Sequence, residues 1–238
     1  MKIGTTILLS GGQDSVTSLF WAQREAASGR LPGPLAALTF FYGQRHAVET
    51  SYAEKVAREA DVPLHLLGLD ILSALNQPSA LVNAGLDVAS ASAHNDGLPA
   101  SFVPGRNIFF FTTAAVWASW RGCSHLVSGV CQTDFSGYPD CRRKFVDALE
   151  LALTLGLEKP VHIHTPLMML TKAQTWALAR ELGVLETVRQ DSHTCYQGDH
   201  HTEQPWGYGC GTCPACLVRG RGWKEFIRDS TTQTIRSW

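Results

Sequence analysis

The chain is poor in charge of either sign: Asp, Glu, Lys and Arg make up 17% of its 238 residues, and the formal net charge is -1. No run of Lys or Arg forms a stripe able to track phosphates, so nucleic acid is not expected as a partner. Long apolar runs are missing as well. The opening MKIGTTILLSGG carries one Lys and a short apolar stretch, about half the length of a membrane span, and Gly-Gly-Gln-Asp stands where a signal cleavage site needs small residues. It reads as the first β-strand of a cytoplasmic protein with no membrane partner. Nor do the cysteines form an even set: there are seven, four of them crowded between Cys195 and Cys216. That asymmetry suggests a metal site in a reducing compartment and argues against a disulfide framework. Internal repeats and low-complexity tracts are absent.

What is present is ample apolar material. Hydrophobic residues make up 45% of the chain, enough to bury a core in one domain with a small appendage. Thr5 to Leu9 is a β-branched and aliphatic run that stops at Ser10-Gly11-Gly12, after which Val16, Leu19 and Phe20 recur at helical spacing. Leu35 to Phe41 repeats the strand pattern; Val48, Tyr52, Val56 and Ala60 mark a second helix ending before Pro63, and Leu64 to Leu67 is a third strand. Asp70 to Gly105 shows no sustained period and has the composition of a lid or binding loop. Further on, the pattern predicts a buried helix over Asn107 to Trp120, a strand over Leu126 to Val130, a helix over Cys141 to Leu155 and a strand over Val161 to His164. Thr171-Lys-Ala-Gln174 has the form of a capping box opening one more helix.

Alternating strands and helices predict an α/β fold, a parallel sheet with helices on both faces, with ligands beyond the carboxyl ends of the strands. Beyond Glu186 the apolar periodicity fades into Cys, His, Gly and Thr. The expected division is a nucleotide-binding domain over 1–186 and a small zinc-binding C-terminal lobe over 187–238.

SGGQDS, Ser10 to Ser15, lies between a strand and a helix. Gly11 and Gly12 let backbone N–H groups approach an anion, Ser10 and Ser15 add hydroxyls, and the positive end of the helix dipole points to the same spot. Two roles are open for Asp14, capping the helix or holding a magnesium ion on bound phosphates. The turn lacks the Lys of GxxxxGK[ST] and the spacing of GxGxxG. A plain tight turn is the bland alternative. Leu9, Ser10, Gly11, Gly12, Gln13, Asp14, Ser15, Val16, Thr17, Ser18 and Leu19 form the candidate nucleotide-binding stretch.

Cys210, Cys213 and Cys216 form two consecutive CxxC units with Cys195 upstream. Each CxxC turn brings two sulfurs to one ion at about 2.3 Å, and four thiolates close a structural zinc site. A reactive dithiol or persulfide carrier and an iron-sulfur cluster stay open, as does replacement of one ligand by His193, His200 or His201. Cys123, Cys131 and Cys141 have no partner spacing and read as small buried hydrophobes.

SGGxDS resembles the pyrophosphate-loop ATPases, which cleave ATP between its α and β phosphates to adenylate a substrate. Together with the cysteine lobe, LLSGGQDS (Leu8 to Ser15), TFFYGQRH (Thr39 to His46), FVPGRN (Phe102 to Asn107), GVCQTDFSGYPDCRRKF (Gly129 to Phe145), TPLMMLTKAQTWALA (Thr165 to Ala179) and CGTCPACLVR closely resemble the 7-cyano-7-deazaguanine synthase (QueC) family, in order over nearly the whole chain. Two departures stand out: a long stretch from Tyr196 to Gly209 between the first two metal cysteines, and Thr171 in place of an acidic residue.

The resemblance implies a Rossmann-like, adenine nucleotide alpha hydrolase-like fold and a ligase that converts 7-carboxy-7-deazaguanine, ammonia and ATP to the 7-cyano compound. It implies ATP with Mg2+ at the turn and structural Zn2+ on Cys195, Cys210, Cys213 and Cys216. Arg106 and Lys172 are the expected cations for the phosphates or the transferred oxygen; Asp134 and Asp140 are candidates for magnesium or purine-edge contacts. Each has a plainer role open: local pairing for Arg106, a solvated first turn for Lys172, capping of the next helix for Asp140. Tyr138 either stacks on the base or packs in the core. The chain is expected to act as a homodimer. A tRNA thiolase and a non-catalytic nucleotide-binding module are the competing readings; the first needs a basic platform this composition lacks.

Overall fold

Four strands that follow glycine-, proline- or cysteine-bearing turns line up beside β1, and the interior strand Leu35–Phe41 is buried on both faces, the pattern of a sheet covered on both sides. The computed structural model describes residues 2–42, 48–75, 101–133 and 138–229. In chain order these hold β1 (Thr5–Leu8), α1 (Gln13–Ala27), β2 (Leu35–Phe41), α2 (Val48–Glu59), β3 (Leu64–Gly68), α3 (Asp70–Ala74), α4 (Arg106–Ser119), β4 (His125–Val127), α5 (Arg143–Leu157), β5 (His162–His164), α6 (Lys172–Glu181), α7 (Leu185–Gln190), β6 (Glu203–Gln204), β7 (Gly207–Tyr208) and α8 (Pro214–Asp229). A 3-10 turn at Pro139–Cys141 precedes α5.

The first five strands form one sheet in the order β3-β2-β1-β4-β5, with every pair parallel. Winding runs outward from β1 to β3, then returns to start again at β4 beside β1. The crevice at the carboxyl ends of β1 and β4 is therefore the topological switch point, where such sheets bind ligands. Alternation along the strands divides the core in two. Ile7, Leu9 and Ala37 join Val16 and Leu19 of α1 and Ala53 and Val56 of α2; Leu38 and Phe40 join Phe111 and Ala114 of α4 and Val146 of α5.

The first cluster continues into the cysteine segment, taking in Trp176, Val188, Cys195, Trp206, Cys213, Cys216 and Phe226. Here the structure differs from the sequence expectation of faded periodicity: α8 is a 16-residue helix. Its buried positions are Cys216, Arg219, Gly220, Gly222 and Phe226, so only Phe226 among them carries a large hydrocarbon side chain. The glycines are there for close approach, since a Cβ at Gly222 would lie 2.5 Å from Lys172 Cγ and one at Gly220 2.7 Å from Trp206 Nε1. The long stretch after Tyr196 folds as the antiparallel pair β6 and β7, which presents Trp206 to α8. Thr171 caps α6 as expected: its hydroxyl accepts from Gln174 N–H at 3.3 Å, and the Gln174 side chain accepts from Thr171 N–H at 2.8 Å. Within the segment expected to lack structure, Asp70–Ala74 is a short helix; the lid expected of 76–100 lies outside the described residues. Among the described residues no helix is long and apolar enough to cross a membrane.

Candidate active site

β1 ends in a corner where Gly11 adopts φ +86°, a conformation that favours glycine. A Cβ there would also collide with the Glu49 carbonyl at the start of α2. The corner is braced internally. Ser15 Oγ accepts from Ser10 N–H at 3.2 Å, lies 3.1 Å from Ser10 Oγ and donates to Gly12 O at 3.0 Å. Gly12 N-caps α1 without any side-chain cap, so apart from Gln13 N–H, which Thr194 Oγ1 accepts, the first turn and its positive dipole end are left to a ligand.

On the β4 side Gly129 touches the same turn. A Cβ at that position would sit 2.7 Å from Asp14 C and 2.8 Å from Ser15 N, which explains why only glycine fits. Lys172, the first residue of α6, donates to both Asp14 carboxylate oxygens at 2.8 and 2.7 Å; its side chain is 11% exposed. Asp14 thus neither caps α1 nor stands alone for a cation. Among the described residues the cysteine group is the sole cluster of three or more potential metal ligands.

A cavity of about 400 Å³ opens on this corner. Leu9, Ser10, Gly12, Gln13, Asp14 and Ser15 line it, with Arg106, Lys172, Tyr138 and Cys195. Val16 and Leu19 instead point into the core with no exposure, Thr17 bonds back to Gln13 O at 2.8 Å, and Ser18 is buried. Gly11 faces α2. Asp134 lies outside the described residues. Asp140, 6% exposed, caps a helix other than the one that follows it: its Oδ2 accepts from Asn107 N–H at 3.1 Å, closing the first turn of α4, whose own N-cap, Gly105, has no side chain.

Arg106 starts α4 and lies over Phe110 at 5.9 Å. Burial opposes its charge, but the hydroxyls of Tyr42, Tyr138 and Tyr196 and the Cys141 thiol raise its pKa above the ordinary value. Burial also pushes the Glu49 carboxyl up to about 7, with Arg106 pulling the other way. Tyr138 exchanges a hydrogen bond with Ser101 at 2.6 Å and leans on Phe102 at 5.3 Å, so it belongs at once to the cavity wall and to a small apolar cluster. Two buried side chains on the wall, Gln13 and His193, have polar atoms without a protein partner among the described residues: both amide atoms of Gln13 and Nδ1 of His193. Such groups are rarely left unsatisfied, and both residues belong to the cavity lining.

Cys195, Cys210, Cys213 and Cys216 place their sulfurs within 4.8 Å of one another. A tetrahedron with metal–sulfur bonds of about 2.3 Å has sulfurs roughly 3.8 Å apart, and Cys210 Sγ and Cys216 Sγ are 3.9 Å apart. Backbone N–H groups of Thr212 and Cys213 point at Cys210 Sγ, and that of Cys216 at Cys213 Sγ, as thiolates require. The four residues fit a zinc ion. No histidine joins the group: His193 Nε2 lies on Cys195 O at 3.2 Å and His200 Nδ1 on Gly198 O at 2.9 Å. Cys123, Cys131 and Cys141 are buried, at 5 to 9% exposure.

The cluster and the corner are joined. His193 N–H donates to Gly11 O at 2.8 Å, and Thr194 Oγ1 accepts from Gln13 N–H at 3.4 Å and from Arg219 at 2.9 Å. Arg219, 1% exposed, also donates to the carbonyls of Val188, Arg189, Ser192 and Trp206.

The family model described as "Queuosine biosynthesis protein QueC" matches residues 5–227. The chain belongs to the QueC family. The relative from Bradyrhizobium sp. (strain BTAi1) is 43% identical over 239 residues, 94% of this chain and 95% of its own; that from Nitratidesulfovibrio vulgaris (strain Hildenborough) is 47% identical over 231 residues, 93% and 92%. Both are named 7-cyano-7-deazaguanine synthase. Among solved structures, NMN synthetase from Francisella tularensis is similar at 17% identity and a TM-score of 0.49, over 79% of this chain and 64% of that one.

Three residues of this QueC-family cavity had no signal in the sequence. Glu49 sits one position from the apolar stripe of α2, where an acidic residue reads as solvated surface. Tyr196 follows a cysteine inside a polar stretch. Arg219 falls in the helix whose buried face is glycine.

Proposed function

We propose that this protein is an ATP-dependent 7-cyano-7-deazaguanine synthase, a C–N ligase that takes 7-carboxy-7-deazaguanine and ammonia as substrates. The observation that carries this reading is the braced Ser10–Ser15 corner at the sheet switch point, with Lys172 and Arg106 on the same cavity, in a chain of the QueC family.

A carboxylate is a poor electrophile and oxide a poor leaving group, so the acid oxygen first attacks the α-phosphate of ATP and pyrophosphate departs. Ammonia then attacks the acyl carbon and AMP leaves, giving the amide. A second ATP activates the amide oxygen, and loss of AMP and a proton yields the nitrile. Negative charge grows on pyrophosphate at each activation. The N-terminal N–H groups of α1 and the Ser10 and Ser15 hydroxyls meet that charge from fixed positions, so little reorganisation is needed. Lys172, held by Asp14, places a cation beside the corner, and Arg106 places another across the cavity. Zinc on the four cysteines supplies a structural cross-link and no reacting group. Magnesium arrives with ATP in this reading.

The test is release of AMP and pyrophosphate with 7-carboxy-7-deazaguanine and ammonium, repeated with tRNA in place of the acid. Two AMP per nitrile is the expected result. Release that depends on tRNA alone favours a thiolase, and phosphate released in place of pyrophosphate refutes the assignment of the corner.

A further inference from the structure

The far wall of the cavity is aromatic. Phe40 stacks on Phe110 at 4.7 Å and 14°, Tyr42 tilts against the same ring at 5.4 Å, and Tyr138 lines the same cavity. Walls of this kind take a flat ring. Into it project two charges of opposite sign, Glu49 and Arg106. They interact through space, but among the described residues no ion pair joins them, so each retains capacity for a ligand. Glu49 is fixed in position because its own carbonyl packs against Gly11 of the corner.

A carboxylate has acceptors only. The edge it recognises must therefore offer two adjacent donors. The 2-amino-4-oxopyrimidine edge of a guanine-like ring does so through its ring N–H and its exocyclic amine, whereas an adenine edge pairs one donor with one acceptor and would set a lone pair against the carboxylate. Resting on the function proposed above, we propose that Glu49 is the specificity-determining residue for the acid substrate, its carboxylate accepting the ring N–H and 2-amino group of the deazaguanine. The same carboxylate rejects the adenine of ATP from this chamber, which keeps the two flat substrates from exchanging places.

The experiment is equilibrium binding, by titration calorimetry on metal-loaded full-length protein with a non-hydrolysable ATP analogue present. The ligands are 7-carboxy-7-deazaguanine and its 2-desamino counterpart, tested on wild type and on Glu49→Gln. Wild type is expected to bind the desamino compound about 10- to 100-fold more weakly, the effect of stranding one charge-assisted hydrogen bond. Glu49→Gln should weaken the amino compound by a similar factor and discriminate the two ligands less than threefold. Affinity for the ATP analogue should stay within threefold, which also shows that the variant is folded. Equal binding of both ligands by wild type overturns the proposal without any variant. So does undiminished discrimination in Glu49→Gln. If wild type binds neither ligand and releases no AMP with the acid, the functional reading itself fails, an outcome distinct from loss of discrimination alone.

Discussion

Replacing Arg219 by Met should remove about 4 kcal/mol of stability, although the residue lies on no reacting group. The guanidinium donates to Trp206 O at 3.3 and 3.1 Å, to Val188 O at 3.0 Å, Arg189 O at 3.1 Å, Ser192 O at 3.4 Å and Thr194 Oγ1 at 2.9 Å. These are neutral acceptors, so burial lowers its pKa to about 10, with Cys216, Asp14 and Tyr52 pulling it back up; it stays charged at neutral pH. Methionine fills much of the volume against Trp176 and Trp206, which lie 5.3 and 5.5 Å from the guanidinium carbon. It strands five buried acceptors at about 1 kcal/mol each, the low end because several contacts are long. Relief from desolvating the cation returns roughly 1 kcal/mol, leaving a net loss in the 3–5 kcal/mol range typical of breaking a buried charged network. Urea unfolding of metal-loaded protein at pH 7 measures this directly. Arg219→Lys, with three donors on one nitrogen, should recover less than half. Because Thr194 carries Gln13 as well, ATP affinity should fall about tenfold in Arg219→Met under conditions where the protein is still folded. A stability change below about 1 kcal/mol would refute the network as the support of this region.

Gly129→Ala sets a Cβ 2.7 Å from Asp14 C, so the corner must shift; a stability loss of about 1–3 kcal/mol and a larger loss of ATP binding are expected by thermal melts and titration. Lys172→Met removes the cation beside the corner and should lower kcat by about 100-fold or more, while the melting temperature moves only a few degrees. Glu25 accepts hydrogen bonds from Arg30 and Arg24, and the Arg30 bond above all lowers its pKa below the ordinary 4.5. A depressed folded pKa contributes stability that is full above the unfolded value and lost as pH falls through the folded one. Wild type should therefore outlast Glu25→Gln in melts at pH 7, and the gap should close below about pH 4. Removing metal with a chelator under reducing conditions should release about one zinc per chain by elemental analysis, lower the melting temperature and weaken ATP binding in parallel.

The parallel sheet was legible because β-branched and aliphatic runs such as Leu35–Phe41 are buried on both faces and have no helical period. SGGQDS was legible for the same local reason: a glycine corner between a strand and a helix is a chemical signature in itself. The CxxC spacing was legible because two sulfurs three residues apart reach one ion. What escaped was whatever depends on partners distant in sequence. Asp140 reads as the cap of the helix that follows, yet its carboxylate serves Asn107, 33 residues earlier, since Gly105 leaves that helix uncapped. Asp14 reads as a cap or a metal ligand until Lys172, 158 residues away, is seen on both its oxygens. α8 escaped because its buried face is made of Gly220, Gly222 and Arg219, and binary patterning registers hydrocarbon, not the room that glycine leaves for a neighbour.

That last helix also connects the cysteine cluster to the glycine corner. Gly220 and Gly222 let α8 approach Trp206 and Lys172, but each glycine weakens the helix by about 1 kcal/mol relative to alanine. The helix's apolar packing rests on Phe226 and the half-buried Trp223, set edge-on to Trp176 at 5.0 Å. Cys213 and Cys216 lie at its start and in its first turn, where a metal held with Cys195 and Cys210 would fix the nucleating residues, the costly step of helix formation. Held there, α8 carries Arg219 to Thr194 and backs the side chain of Lys172. The cysteine cluster and the corner are thus linked through one helix: Arg219 donates to Thr194, which accepts from Gln13 N–H, and Gly222 lies against Lys172, which donates to Asp14.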